Sequence, residues 1–192
     1  VLRITKPDVI AIGPGLGKSA LASTLLIGVL QYPSIPLMID ADALNLIAES
    51  KDLLSALQNR NQQFPDQVVL TPHPGEAAKL LGIATENVQS DRLATLEQLI
   101  ALTQCIVVLK GQHTLIGSPK HSALQCQEGN PGMATGGMGD ILTGSIAAIA
   151  AQGVRHQLNL WESTGIAVQL HAAAADSLVS QSVGPIGLTP SE

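Results

Sequence analysis

Short aliphatic runs alternate along this chain with longer stretches in which apolar residues recur at helical spacing. Val9 to Ile12 is an aliphatic run that follows Asp8 and stops at Gly13; beyond the glycine-spaced GPGLG, the residues from Lys18 to about Leu30 predict a helix. Ile35 to Asp40 (IPLMID) predicts a second strand, ending in a carboxylate. Ala43 to about Leu57 then carries apolar residues at Leu44, Ile47, Leu53, Leu54 and Leu57, a helical period. A third strand, Val68 to Leu70, runs into TPHPGE, and the helix Ala77 to Leu81 stops at Gly82, which can take the left-handed turn that closes a helix. Asp91 to Thr103 repeats the helical pattern through Leu93, Leu96, Leu99, Ile100 and Leu102 and feeds the strand Cys105 to Leu109.

After that strand the pattern changes. Lys110-Gly111, Gly117-Ser118-Pro119 and Gly129-Asn130-Pro131 punctuate two short strands, His113 to Ile116 and Ser122 to Gln125, which predicts a hairpin. Ile141 to Ala151 and about Trp161 to Ser180 predict two closing Ala-rich helices. Repeated strand and helix units followed by a hairpin predict an α/β sandwich around a mostly parallel sheet. No internal repeat or linker divides the chain, and its 192 residues predict a single domain spanning 1–192.

Composition narrows the function. Hydrophobic residues make up 45% and charged residues 13%, enough for a large core and too apolar for general disorder. With one Phe, one Tyr and one Trp, and a net charge of −5, the chain offers neither a base-stacking surface nor a basic footprint, so nucleic acid is not an expected partner. Any phosphate must be held locally, by backbone amides and one or two cations. Cys105 and Cys126 lie in strand-like flanks and predict buried free thiols. The chain has no apolar stretch long enough to span a bilayer, and its start, VLRITKPDV, lacks the pattern of a signal peptide; a cytoplasmic location without membrane partners is expected. The first residue is Val, so upstream sequence is expected to be missing.

Ligands of parallel α/β sheets sit beyond the carboxyl ends of the strands, which singles out GPGLG, DADALN, TPHPGE and KGQHT. The richest stretch is Asn130 to Asp140, NPGMATGGMGD. Gly136, Gly137 and Gly139 precede a helix, so unhindered amides and the positive helix end can converge on an anion. Asp140 then stands beside that anion. A helix cap would account for one Asp and one Gly, but not for four glycines in eight residues. A carboxylate at a phosphate-binding helix end suits removal of a proton from a hydroxyl that attacks a phosphoryl group. Thr135 is either a further hydroxyl donor or a plain loop residue.

The other segments leave alternatives. GPGLGKS is not a P-loop, because the glycine that motif needs five residues before Gly17 is Ile12. GPGLG is either a close backbone approach to a ligand or a tight turn. Asp40 and Asp42 either bind a ribose hydroxyl or magnesium, or Asp42 caps a helix while Asp40 is solvated. His73, stiffened between two prolines, predicts a substrate contact, while Glu76 is a metal or water ligand or simply an acid in its helix's first turn. Lys110 offers a cation at a strand end. His171 and Asp176, five residues apart in HAAAAD, do not face each other on a helix and predict plain packing.

In order, GPGLG, DADALN, LTPHPGEAAKLLG, VVLKG and NPGMATGGMGD resemble the carbohydrate-kinase-like NAD(P)H-hydrate dehydratase family, from about Val9 to the GLTPSE end. The resemblance implies a ribokinase-like three-layer sandwich. It also implies a reaction: loss of water from the S epimer of NADHX or NADPHX, driven by ADP (ATP in eukaryotes) with Mg2+ through a phosphorylated hydrate. Carried over by motif, Asp140 contacts the hydrate and is the base on its ring hydroxyl; Gly139 and the preceding amides hold the transferred phosphoryl. His73 and Gly15 or Gly17 contact the hydrate, and Lys110, Gly111, Gln112, His113 and Thr114 line the adenine nucleotide. The metal ligands are not assigned. A homo-oligomer and an epimerase, fused or separate, are further expectations from the family.

This chain departs from the family in two places. The family's N-terminal segment has no counterpart upstream of Val1, so the expected fold is N-terminally incomplete, and the sequence is expected to be a fragment or incomplete. A sheet edge left open there is an aggregation hazard unless a partner covers it. The family's HG-x-AGD is here HAAAAD. The same glycine loop also serves a ribokinase-like small-alcohol kinase, and loss of the N-terminal segment allows a non-catalytic nucleotide-binding module.

Overall fold

The computed structural model describes residues 6–192, apart from the side chains at 154 and 155. The expected domain of 1–192 thus begins with five residues that lie outside the described ones. Strands β1 (Ile10–Ile12), β2 (Leu37–Ile39), β3 (Val68–Leu70), β4 (Ile106–Leu109), β5 (Leu115–Ser118) and β6 (His121–Gln125) form one sheet in sequential order. The first four are parallel, with Ile12 beside Ile39 and Ile39 beside Leu70, and β5 and β6 close the sheet as an antiparallel hairpin.

Alternation within each strand builds the layers, because successive side chains point to opposite faces. Leu37, Ile39, Val68, Leu70, Val107 and Leu109 pack in one core with α1 (Ala20–Leu30), α2 (Ala41–Glu49), α3 (Lys51–Gln63), α4 (Pro74–Leu81), the short α5 (Thr85–Ser90) and α6 (Arg92–Thr103). Met38, Val69, Ile106, Val108 and Ile116 pack in a second core with α7 (Met138–His156) and α8 (Leu160–Ser180). Every residue of β2, β3 and β4 is buried, whereas Ala11 in β1 and all of β6 are exposed at the two sheet edges.

Several element boundaries differ from the sequence pattern, for local reasons. The stretch read as one helix over 43–57 is two, divided at Ser50, whose side chain accepts from the Leu53 amide and starts α3. The helix expected at Ala77 begins at Pro74, because His73 caps it. The short α5 falls between two stronger patterns and was not expected. The hairpin strands are displaced to Leu115–Ser118 and His121–Gln125, and α7 runs from Met138 to His156 rather than from Ile141 to Ala151. Both cysteines are buried free thiols, as their flanks predicted.

Candidate active site

Asp40, at the end of β2, is 1% exposed, and a carboxylate so buried requires partners. Lys110 supplies the charge from the end of β4, its Nζ donating to Asp40 Oδ1 at 2.8 Å. Thr143 Oγ1 on α7 donates to Oδ2 at 2.8 Å and lies 3.3 Å from Thr71 Oγ1 at the end of β3. Glu76, 5% exposed at its side chain, brings Oε2 to 4.0 Å from the same ammonium. The solvated Asp40 considered from sequence is therefore excluded, and a single lysine joins the ends of β2 and β4 to the start of α4.

The glycine loop meets this cluster. Gly137 occupies the cap position of α7 at φ +94°, so Asp140 is a first-turn residue and not the cap. The amides of Gly139 and Asp140 have no acceptor within their own helix. A Cβ on Gly139 would stand 3.0 Å from Lys110 Nζ, so the first turn of α7 lies close against the ammonium and a side chain at 139 would push on it. Asp140 is exposed beside these amides.

The remaining expected residues fall around this centre with distinct local roles. In GPGLG, Gly13 is required by close approach, since a Cβ there would lie 1.8 Å from the Asp40 carbonyl oxygen. Gly15 and Gly17, at φ +65° and +72°, have open space where a Cβ would point, and the Gly17 amide donates to Asp42 Oδ2 at 2.8 Å. Asp42 thus fastens the first loop instead of capping α2. Lys18 pairs with Glu49 and the Ser19 hydroxyl caps α1, which disposes of any P-loop role for either residue. His73 Nδ1 accepts from the Gly75 and Glu76 amides at 3.0 and 3.3 Å, while Glu76 Oε2 accepts from the His73 amide at 2.8 Å. This reciprocal cap makes Glu76 a first-turn acid and fixes the imidazole; its side chain is 56% exposed. Gly111, at φ +143°, begins the turn to Thr114, whose Oγ1 donates to the Gly111 carbonyl at 3.1 Å; Gln112 and His113 are exposed on the turn.

Three residues beneath the site escaped the sequence reading of it. Arg92 Nη2 donates to the Leu109 carbonyl at 3.0 Å, and Nη1 lies 2.6 Å from where a Gly111 Cβ would be. Asp176 accepts from the Gly129 amide and from Asn130 Nδ2, each at 2.8 Å, contacts that hold its carboxyl below the usual carboxylate range. Burial pushes the pKa of His171 down, a fall that the neighbouring Met138 backbone opposes. The plain packing expected of Asp176 is corrected, since its carboxylate holds the Gly129 amide and Asn130, whereas His171 is half-buried on the same helix. Their only signal in the sequence was a polar pair in an otherwise alanine-rich helix.

No three His, Cys, Asp or Glu side chains converge as a metal cluster among the described residues. Both oxygens of Asp40 are already engaged, and Mg2+ is commonly held by one or two carboxylates together with substrate phosphates. The residues fit a metal carried in on a nucleotide better than one caged by the protein. A cavity of about 420 Å3 lies at the other end of the strands, lined by Pro36, Gln67, His121 and Trp161 among others, away from Lys110 and Asp140.

A three-layer α/β/α sandwich with its polar residues at the carboxyl ends of parallel strands, closed by a glycine loop before α7, is a ribokinase-like fold. The ADP/ATP-dependent NAD(P)H-hydrate dehydratase of Bacillus subtilis, solved with ATP/Mg2+ and soaked with CoA, superposes with a TM-score of 0.78 at 29% identity, over 95% of this chain and 61% of that one. Residues 2–191 match the Carb_kinase family, and the chain belongs to this family of NAD(P)H-hydrate dehydratases. It is 45% identical to the bifunctional NAD(P)H-hydrate repair enzyme of Coxiella burnetii over 90% of its own length and 32% of that protein. Against the ADP-dependent (S)-NAD(P)H-hydrate dehydratase of Neisseria meningitidis the identity is 39%, over 90% of this chain and 55% of the relative. The chain thus spans about a third to three-fifths of the length of these relatives. No helix among the described residues is long and apolar enough to cross a membrane.

Proposed function

We propose that this chain carries the phosphoryl-transfer centre of an ADP-dependent NAD(P)H-hydrate dehydratase within a single carbohydrate-kinase-like domain. The observation that carries the proposal is the meeting of Lys110, the first turn of α7 and Asp140 at the carboxyl ends of the strands. A cation and free amides stabilise charge on a transferring phosphoryl group, and a carboxylate beside them takes the proton of the attacking hydroxyl.

In this reading the ring hydroxyl of the S hydrate, NADHX or NADPHX, gives its proton to Asp140 as its oxygen attacks the β-phosphorus of ADP. The new O–P bond forms as the bond to the departing AMP breaks. The C–O bond of the phosphorylated hydrate then breaks, phosphate leaves with the bonding pair, and loss of a proton from the neighbouring ring carbon restores the dihydronicotinamide. Phosphate departs far more readily than hydroxide, which is why a kinase fold suits a dehydration. Gly136, Gly137 and Gly139 supply backbone amides to the transferred group. Gly15, Gly17 and the exposed edge of His73 face the hydrate, and Lys110 to Thr114 border the nucleotide. Bound Mg2+ would neutralise phosphate charge. The relatives' bifunctional character supports an epimerase working with this domain.

The test is recovery of absorbance at the reduced-nicotinamide band when the complete gene product is mixed with NADHX, Mg2+ and ADP, with ATP and no-nucleotide controls. A nucleotide-dependent rise is expected. Nucleotide binding without any rise would overturn the dehydratase assignment.

A further inference from the structure

The glycine loop is held from below by one face of α8. Its entrance is fastened where Asp176 accepts from the Gly129 amide and from Asn130 Nδ2 at 2.8 Å each, and Asn130 Oδ1 in turn accepts from the Gly132 amide at 3.0 Å. Beside this clasp, the Ala172 Cβ lies 3.7 Å from the position of a Gly129 Cβ, and buried Ala175 packs with Met138, the first residue of α7. The alanines of HAAAAD thus fill the floor beneath the loop.

We propose that Asp176 is a positioning residue that sets the glycine loop in the geometry needed to hold the phosphoryl group being transferred. This rests on the function proposed above. Its side chain acts through the Gly129 amide and Asn130 that it anchors, at the entrance of the loop. Loop amides displaced by a fraction of an ångström lose directional hydrogen bonds to a phosphoryl oxygen, whereas contacts to the rest of the nucleotide, along Lys110 to Thr114, are made by another segment.

Comparison of ADP with AMP isolates the loop, because AMP lacks the phosphoryl group that would be transferred. Calorimetric titration of both nucleotides with Mg2+ is made on the complete gene product, unaltered and as Asp176→Asn, Asp176→Glu and Asn130→Ala. Asp176→Asn is expected to weaken ADP about tenfold and leave AMP within about twofold, since one of two charge-assisted bonds is replaced by opposed donors. Asp176→Glu should restore part of the difference. Should Asp176→Asn fail to fold, Asn130→Ala breaks the same clasp from the loop side and is expected to give the same selective loss. Equal weakening of both nucleotides, or of neither, would overturn the positioning role. An unaltered protein that binds ADP no better than AMP would instead overturn the phosphoryl-loop function itself, and this role with it.

Discussion

Lys110 Nζ and Asp40 Oδ1 lie 2.8 Å apart although 70 positions separate them in the chain, and the pair joins the end of β4 to the end of β2. Asp40 is 1% exposed at its side chain and Lys110 17%, so removing either partner leaves a charge in a place that water scarcely reaches. Asp40→Asn is expected to destabilise the protein by about 3 kcal/mol, the lower end for breaking a buried pair, because the lysine keeps some access to solvent. Urea unfolding checks this. The double variant Asp40→Asn/Lys110→Met should recover part of the loss, and strictly additive single effects would show that the two charges are not coupled.

Asp140 is exposed and is not the cap of its helix. Asp140→Asn should therefore change stability by no more than about 0.5 kcal/mol and leave ADP affinity near its original value. Turnover should fall about 100- to 10,000-fold, the range for losing a positioned base. Steady-state rates with NADHX measure it, and activity within a few fold of the original would remove Asp140 from the role of base.

Gly139→Ala separates catalysis from folding. In the first turn of a helix alanine is favoured over glycine by up to about 1 kcal/mol, so thermal stability should hold or rise. The added methyl group would come within 3.0 Å of Lys110 Nζ, and the ammonium must give way. Weaker ADP binding and slower turnover in a protein at least as stable is the expected outcome. Unchanged ADP affinity, read by titration, would mean that Lys110 does not face the phosphates.

Cys105 is buried beside Asn61, whose Nδ2 lies 2.7 Å from its Sγ, and burial pushes the thiol up to about 12. An acid whose pKa is higher in the folded state stabilises the fold below the unfolded thiol's pKa of about 8.5 and loses that contribution as pH rises toward its folded value. Stability should therefore decline above about pH 8.5, and Cys105→Ala should flatten that decline. In the native protein at pH 8, iodoacetamide should leave Cys105 unmodified and label it only after unfolding. Labelling at the native stage, read by mass spectrometry of the peptides, would contradict the burial.

The fold was legible where one physical signal dominated. Three short aliphatic runs, IAI, LMI and VVL, are strands, the side chains of the latter two alternating between two cores, and the intervening periodic stretches are helices. Legibility failed where a local cap competed with periodicity, as at Ser50, which divides one amphipathic pattern into two helices, and at His73, which starts α4 three residues early. At the site, the glycine spacing before Asp140 and the cation after a buried strand were visible because each is a local pattern.

The sequence by itself determined the family, the layered α/β class and the segments that gather at the carboxyl ends of the strands, since these depend on periodicity and on motifs within a few residues of one another. Only the tertiary structure decided which charges meet. Asp40 appeared as one of two carboxylates at the end of a strand until the parallel register put it beside Lys110, and Asp176 was expected only to pack within its helix until α8 brought it beneath Gly129 and Asn130. A hydrogen bond depends on distance and angle between groups far apart in the chain, and a one-dimensional pattern carries neither.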